Sequence, residues 1–241
     1  IGEFGRGVDG VAEGATTPLV YTTAYHGMHI LADMKPGERL LVHSAAGGVG
    51  HAAIRLAQRH GVEVFGTASK GKWDVLRAMG LDDDHIGDSR SLDFEERFRA
   101  TTNGEGVDIV LNSLTGEFIE ASYRLLREGG RFLEMGVADL RDANERAQAY
   151  PGTRYLPFEL FGAPVEEIVP GWNAAAELVA SGEAPPLPFT AWDVHRSRDA
   201  FQYFSQAKQV GKVVITVPAP VNTDGTALIT GGTGTLGAAG D

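Results

Sequence analysis

Apolar positions along this chain fall into two alternating patterns. Short runs at residues 39–43 (RLLVH), 62–67 (VEVFGT), 107–111 (VDIVL) and 131–135 (RFLEM) are bounded by turn residues and read as buried strands. Between them apolar side chains recur at helical spacing. Ala52, Ala53, Ile54, Leu56 and Ala57 form one such set. Residues 72–79, ended by Gly80, form a second, and residues 93–101, with Phe94 and Phe98 four apart, a third. Residues 115–126 form a fourth, with Phe118, Ile119, Leu125 and Leu126 as the apolar face and Gly129-Gly130 as the stop. A helix is also expected over residues 16–32, capped by Thr16 or Thr17, with Pro18 in its first turn and Asp33 near its end. The strand–helix unit thus repeats four or five times between Arg39 and Gly136. That repetition predicts an α/β fold, a doubly wound parallel sheet covered on both faces with right-handed crossovers.

Beyond Gly136 the pattern is less regular. Residues 140–149 are polar, with Asp142 or Asn144 able to start a helix, and residues 153–160 read as a further strand. Residues 165–181 read as a helix containing Trp172 and stopped by Gly182, and residues 185–188 as a loop. Residues 190–194 lead into a helix at about 197–207, and residues 210–217 form an apolar strand. The ends differ in character. Residues 1–14 are glycine-rich and acidic without periodicity, and are expected to be poorly ordered. Residues 218–224 read as a linker, residues 226–230 as a short strand, and residues 231–237 (GGTGTLG) as a second glycine motif with no helix after it to present to a phosphate. The expected division is residues 1–15 as a linker or remnant of a preceding domain, 16–218 as the main domain, and 219–241 as a linker and the first strand-turn of another domain.

The chemistry concentrates where the first strand turns into its helix. Ala45-Ala46-Gly47-Gly48-Val49-Gly50 is a dinucleotide fingerprint with alanine at the position of its first glycine. Gly47 would let the backbone approach a pyrophosphate, and Gly50 would let the helix pack tightly on the strand. The helix N-terminus would then face the phosphates. A classical NAD site carries Asp or Glu at the end of the second strand, to hold the ribose hydroxyls. Here that strand is followed by Thr67-Ala68-Ser69-Lys70-Gly71-Lys72. Arg90 adds a further cation at the next strand end, so the site favours NADPH over NADH. Asn112-Ser113-Leu114 closes the third clear strand at the carboxyl edge, where open α/β sheets bind ligands.

Composition narrows the alternatives. The 241 residues suit one large domain, or one and a half, with a real core. A net charge of −11 without a basic block argues against a nucleic-acid partner. The absence of cysteine removes disulfides, thiolate catalysis and cysteine-based zinc sites, and fits a reducing cytoplasm. The seven histidines show no metal-ligand spacing, and no apolar run approaches a membrane span.

Together the stretches LVHSAAGGVGHAAIRLA, VFGTASKGKWDVLRAMGL, DSRSLDFEERF, GVDIVLNSLTGEFI, GGRFLEMG, PLPFTAWDVHRSRDAF and VGKVVITVP resemble the enoyl reductase domain of modular type I polyketide synthases. That domain is a branch of the medium-chain dehydrogenase/reductase superfamily, found also in animal fatty acid synthase. The resemblance covers residues 16–218, and the terminal TALITGGTGTLG resembles the opening of a ketoreductase domain. It implies a Rossmann-like NADPH-binding domain and reduction of a trans-2-enoyl thioester carried on an acyl carrier protein. Hydride goes to the β-carbon and a proton to the α-carbon, without a metal. Neighbouring ketoreductase and dehydratase domains are implied partners. By motif, Ala45, Gly47, Gly48, Val49 and Gly50 would line the pyrophosphate. Ser69, Lys72 and Arg90 would face the 2′-phosphate, Asn112, Ser113 and Leu114 the nicotinamide ribose, and Met135 and Gly136 the ring.

Two departures from the family matter. Val137 stands where the family usually has lysine, and Glu159 where it usually has aspartate, so that pair's proposed proton source is missing. Asp139 is near, but an ionised carboxylate disfavours an adjacent enolate. The family's separate, largely β substrate-binding domain is largely absent, and with it a tyrosine linked to protonation. Tyr21 and Tyr25 are expected to serve packing instead. These departures favour a second reading, a non-catalytic enoyl reductase remnant acting as a scaffold in a synthase. A free-standing quinone reductase is a third.

Overall fold

The computed structural model describes residues 10–217. The readings made for residues 1–9 and 218–241, including the second glycine motif, lie outside the described residues. The first described residues form a single helical turn, α1 (Val11–Gly14), where no regular structure was expected.

The helix expected over residues 16–32 is α2 (Pro18–Tyr25) followed by a π-helical stretch (His26–Leu31), in which Ala32 N–H donates five residues back to Gly27 O. Gly27 sits where the wider turn meets Phe158, and a Cβ there would lie 2.8 Å from the ring. Neither expected threonine cap forms through its side chain. Thr17 is at the cap position without a side-chain cap bond, while Thr16 Oγ1 accepts from Leu187 N–H at 3.1 Å. A tertiary contact has taken the oxygen that local capping would have used.

The main sheet contains β1 (Arg39–Val42), β2 (Glu63–Ala68), β3 (Ile86–Asp88), β4 (Val107–Asn112), β5 (Leu126–Glu134) and β6 (Arg154–Pro157). Its order is β3-β2-β1-β4-β5-β6, with every neighbouring pair parallel. The strand-order reversal lies between β1 and β4, so the carboxyl ends of these two strands form the crevice in which such sheets bind ligands. Helices α3 (Gly48–Arg59), α4 (Trp73–Ala78), α5 (Phe94–Thr101) and α6 (Glu117–Leu125) connect the strands.

The pleat sends alternate residues of each strand into two cores. Leu40, Val42, Val64, Ile109, Leu111 and Leu133 enter one, whereas Leu41, Phe65, Val110 and Phe132 enter the other with Phe94 and Phe98 of α5. This is why the strands read as nearly continuous apolar runs.

Three boundaries differ from the sequence reading. Helix α6 ends at Leu125, and Leu126 already pairs with Val107, so Gly129-Gly130 lies inside β5. A register irregularity between Val107 and Ile109 accommodates this early pairing. The strand expected over residues 153–160 ends at Pro157, and Leu160 begins a 3-10 turn. Residues 190–194, expected as a lead-in to a helix, fall largely in β7 (Phe189–Asp193), which pairs in parallel with β8 (Lys212–Thr216) in a separate two-stranded sheet. Its partner lies beyond an intervening helix, so local pattern does not reveal the pairing. The remaining helices, α7 (Ala143–Ala149), α8 (Val165–Ala180) and α9 (Ser197–Ser205), fall where expected. Asp142 caps α7 by accepting from Asn144 and Glu145 N–H.

A buried polar chain braces the centre of the sheet. His43, 1% exposed, bonds Ser122 Oγ through Nε2 at 2.7 Å and Thr67 Oγ1 through Nδ1 at 2.8 Å. The Ser122 hydroxyl donates its proton to Phe118 O at 2.7 Å, so it must accept from His43 Nε2–H. Nδ1 then accepts from Thr67. The ring is therefore neutral, and burial pushes its pKa down to about 3. In the unfolded chain this ring titrates near 6.5, so between there and about 3 the unfolded state binds the extra proton and stability falls as pH falls. At pH 5 the loss relative to neutral pH comes to roughly 2 kcal/mol from this residue. Urea unfolding at pH 7 and pH 5 should show that extra loss in the native chain and not in His43→Gln. Equal losses in both would contradict this tautomer and burial.

Candidate functional site

The turn after β1 is built by backbone geometry. Ser44 adopts φ +51°, and Gly47 N–H closes the turn on Ser44 O at 2.8 Å. Gly47 caps α3, so the amides of Gly48, Val49 and Gly50 have no acceptor one turn back within the helix. His51 is the first residue to donate, to Gly47 O at 2.9 Å, and its Nδ1 bonds the same oxygen at 3.0 Å. Burial holds the His51 pKa below its ordinary value. Ala45 lies beneath this turn, fully buried, with its N–H on Thr67 O. A Cβ at Gly50 would meet the Ala45 backbone at 2.5–2.7 Å. Gly50 thus sets how closely the helix approaches the strand, the role the sequence assigned it. The amide of Gly47 is used inside the turn, whereas Gly48, Val49 and Gly50 supply the helix N-terminus.

A cavity of about 390 Å³ opens beside this end, lined by Gly47, Gly48, Val49, Phe201, Phe204 and Lys212 among others. Gly211 N–H donates to Ala46 O at 3.0 Å, which staples the start of β8 to the glycine turn. That staple brings Lys212 alongside, and a Cβ at Gly48 would meet Lys212 Cδ at 2.9 Å. Burial lowers the Lys212 pKa. Sequence reasoning missed this lysine because more than 160 positions separate it from the glycine turn. The start of the apolar strand, VGKVV, carries the local signal: one cation in an otherwise apolar run.

Beyond β2, Ser69 begins a short turn, with Lys72 N–H on Ser69 O at 2.8 Å. Lys72 Nζ donates to Ala207 O and Gln209 O, both at 2.7 Å, tying this turn to the chain between α9 and β8. Burial and then the neighbouring Arg90 charge lower the Lys72 pKa. The residues expected at a 2′-phosphate therefore do bring two cations close together. Asp88 adds a carboxylate nearby, 3.9 Å from Lys70 Nζ.

At the carboxyl edge of β4 and β5, Asn112 is fully buried, and Ser113 Oγ donates to Ser44 Oγ at 2.8 Å across the strand-order reversal. Leu114 N–H donates to Asn112 Oδ1, and Met135 N–H to Asn112 O. Gly136 N–H donates to Glu134 Oε1 at 2.7 Å. Asn112, Ser113, Leu114, Met135 and Gly136 therefore gather at one edge. Val137 is 76% exposed and Glu159 is exposed beyond β6. Asp139 accepts from Gly116 N–H at 2.7 Å, a bond that, ahead of its ion pair with Arg141, keeps the carboxyl below its usual range. Tyr21 is in the core and Tyr25 packs on it.

Among the described residues no helix is long and apolar enough to cross a membrane. Residues 81–215 match the family model for zinc-binding dehydrogenases. The residues do not fit zinc: the chain has no cysteine, and no group of three or more His, Asp or Glu able to hold a metal occurs among the described residues. The chain is 56% identical over 226 residues to the pikromycin polyketide synthase component PikAII of Streptomyces venezuelae, covering 94% of this chain and 6% of that protein. It thus spans a small fraction of that relative's length. The CurK enoyl reductase superposes with a TM-score of 0.80 at 41% identity, over 86% of this chain and 62% of that one. The nucleotide-binding subdomain of the PpsC enoylreductase domain from Mycobacterium tuberculosis gives 0.61 at 32% identity, over 70% of this chain and 97% of that one. The chain belongs to the medium-chain dehydrogenase/reductase family and, within it, to the enoyl reductase domains of polyketide synthases.

Proposed function

We propose that this chain is an NADPH-binding enoyl reductase unit acting on a trans-2-enoyl thioester held by an acyl carrier protein. Its setting would be a cytoplasmic synthase with ketoreductase and dehydratase neighbours. One observation carries the reading: the first turn of α3, whose amides have no acceptor within the helix, borders a cavity also lined by Lys212, a cation weakened by burial. An anion placed there would gain the helix N-terminus and the ammonium together. In this reading the amides of Gly48, Val49 and Gly50, with Lys212, hold the diphosphate, above a turn shaped by Ala45 and Gly47. Lys72, Arg90 and Ser69 hold the 2′-phosphate. An ammonium has three donors, and two of those on Lys72 go to carbonyls, which leaves one for a phosphate oxygen. A phosphate would also relieve the repulsion between Lys72 and Arg90. Asn112, Ser113, Leu114, Met135 and Gly136 would shape the ribose and ring end.

When bound, NADPH supplies hydride to the β-carbon of the enoyl group. The α-carbon then needs a proton. Val137 has none to give, and Asp139 is ionised and engaged with Gly116 and Arg141. In this reading the proton comes from water or from a group outside the described residues. The exposed Val137 is also what favours the second reading, a scaffold without turnover.

NADPH binding followed by its oxidation in the presence of a crotonyl thioester tests both readings. Turnover supports the enzyme. Binding without turnover supports the scaffold or truncation, which turnover by the longer protein distinguishes, and no binding contradicts both the 2′-phosphate assignment and the enzyme. Lys72→Ala should weaken NADPH by ~1–3 kcal/mol, the worth of a hydrogen bond to a charged group, and leave NADH nearly unchanged. Equal losses for the two cofactors, measured by titration, would refute the assignment.

A further inference from the structure

Glu134 is a carboxylate at the end of a strand whose preceding residues, Phe132 and Leu133, are core apolar side chains. It is 1% exposed, and burial raises its pKa above the ordinary carboxylate value. A core serving stability alone is filled as well by an apolar residue, because a buried charge is costly. Both Glu134 oxygens are nevertheless used, and each reaches a different loop. Oε1 accepts from Gly136 N–H at 2.7 Å, in the loop after β5. Oε2 accepts from Asn112 Nδ2 at 2.7 Å, at the end of β4.

Asn112 passes the connection onward. Its Nδ2 also donates to Leu114 O at 2.9 Å, its Oδ1 accepts from Leu114 N–H at 3.1 Å, and its backbone oxygen accepts from Met135 N–H at 3.0 Å. The two loops are therefore hinged on one carboxylate. Gly136 is part of the fit, since a Cβ there would lie 2.8 Å from Oε1.

We infer that Glu134 is a positioning residue for the ring end of the cofactor, fixing the loops at residues 112–114 and 135–136 against each other through its two oxygens. The inference rests on the NADPH reading proposed above. Glu134 touches neither the adenosine end nor the glycine turn, so its loss should be felt at one end of the cofactor only. Replacing it with glutamine keeps the shape but turns one oxygen into a donor facing a donor.

The experiment compares the native chain with Glu134→Gln, titrating each with NADPH and with 2′,5′-ADP, which carries the adenosine phosphates but no nicotinamide. Nicotinamide fluorescence is recorded during the NADPH titration. In the variant, affinity for 2′,5′-ADP should stay within about twofold, while NADPH weakens by about tenfold or more and the bound ring loses its native fluorescence change. Gly136→Ala, which pushes the same loop off Oε1, should reproduce that split and serves if the glutamine variant fails to fold. Unchanged NADPH binding and fluorescence, or equal weakening of both ligands, would overturn the positioning role while leaving the cofactor reading intact. Failure of the native chain to bind NADPH would overturn both.

Discussion

The approach of Gly50 to the backbone of Ala45 governs much of this structure. With any side chain at position 50, helix α3 would have to move away from β1, and the glycine turn would reopen. The close approach aims the first turn of α3 along the crevice between β1 and β4. It also leaves Ala46 O placed to receive Gly211 N–H, which anchors β8 and positions Lys212. Gly211 is held to its own shape: its φ is +65°, and a Cβ there would collide with Pro188 O. A contact between two small residues thus carries through to the placement of a charge far away in sequence.

The polar groups around the crevice divide by function. Asn112, Glu134 and His43 are buried and have their hydrogen-bonding capacity used within the protein, so they stiffen the sheet and its edge. Lys212, Lys72 and Arg90 are cations kept in partly desolvated or mutually repulsive surroundings. Cations in such places are poised to gain from an anion, and the first-turn amides of α3 favour the same sign of ligand.

Much of the fold was legible because the strands are buried on both faces. Residues 39–43, 62–67, 107–111 and 131–135 are apolar nearly throughout, and the first three are each followed by a helix of ordinary period. The glycine turn was legible for a local reason, since Gly50 is required by an approach within five residues. Long-range facts were not. The parallel pairing of β7 with β8, the Gly211 staple and the use of Thr16 by Leu187 all join positions that no periodicity connects. Among the candidate site residues, Lys72 and Arg90 stand out in the sequence by their places after successive strands. Lys212 was hidden by distance, and Glu134 by its strand, where one acid among apolar residues resembles an outward-facing position.

The most direct test is a titration of the ¹⁵N-labelled chain with NADPH, following amide shifts. The account predicts that Gly48, Val49 and Gly50 shift together and saturably at the concentration that saturates binding, with Lys212 among the next most affected. Saturable binding that leaves those three amides unmoved would contradict it.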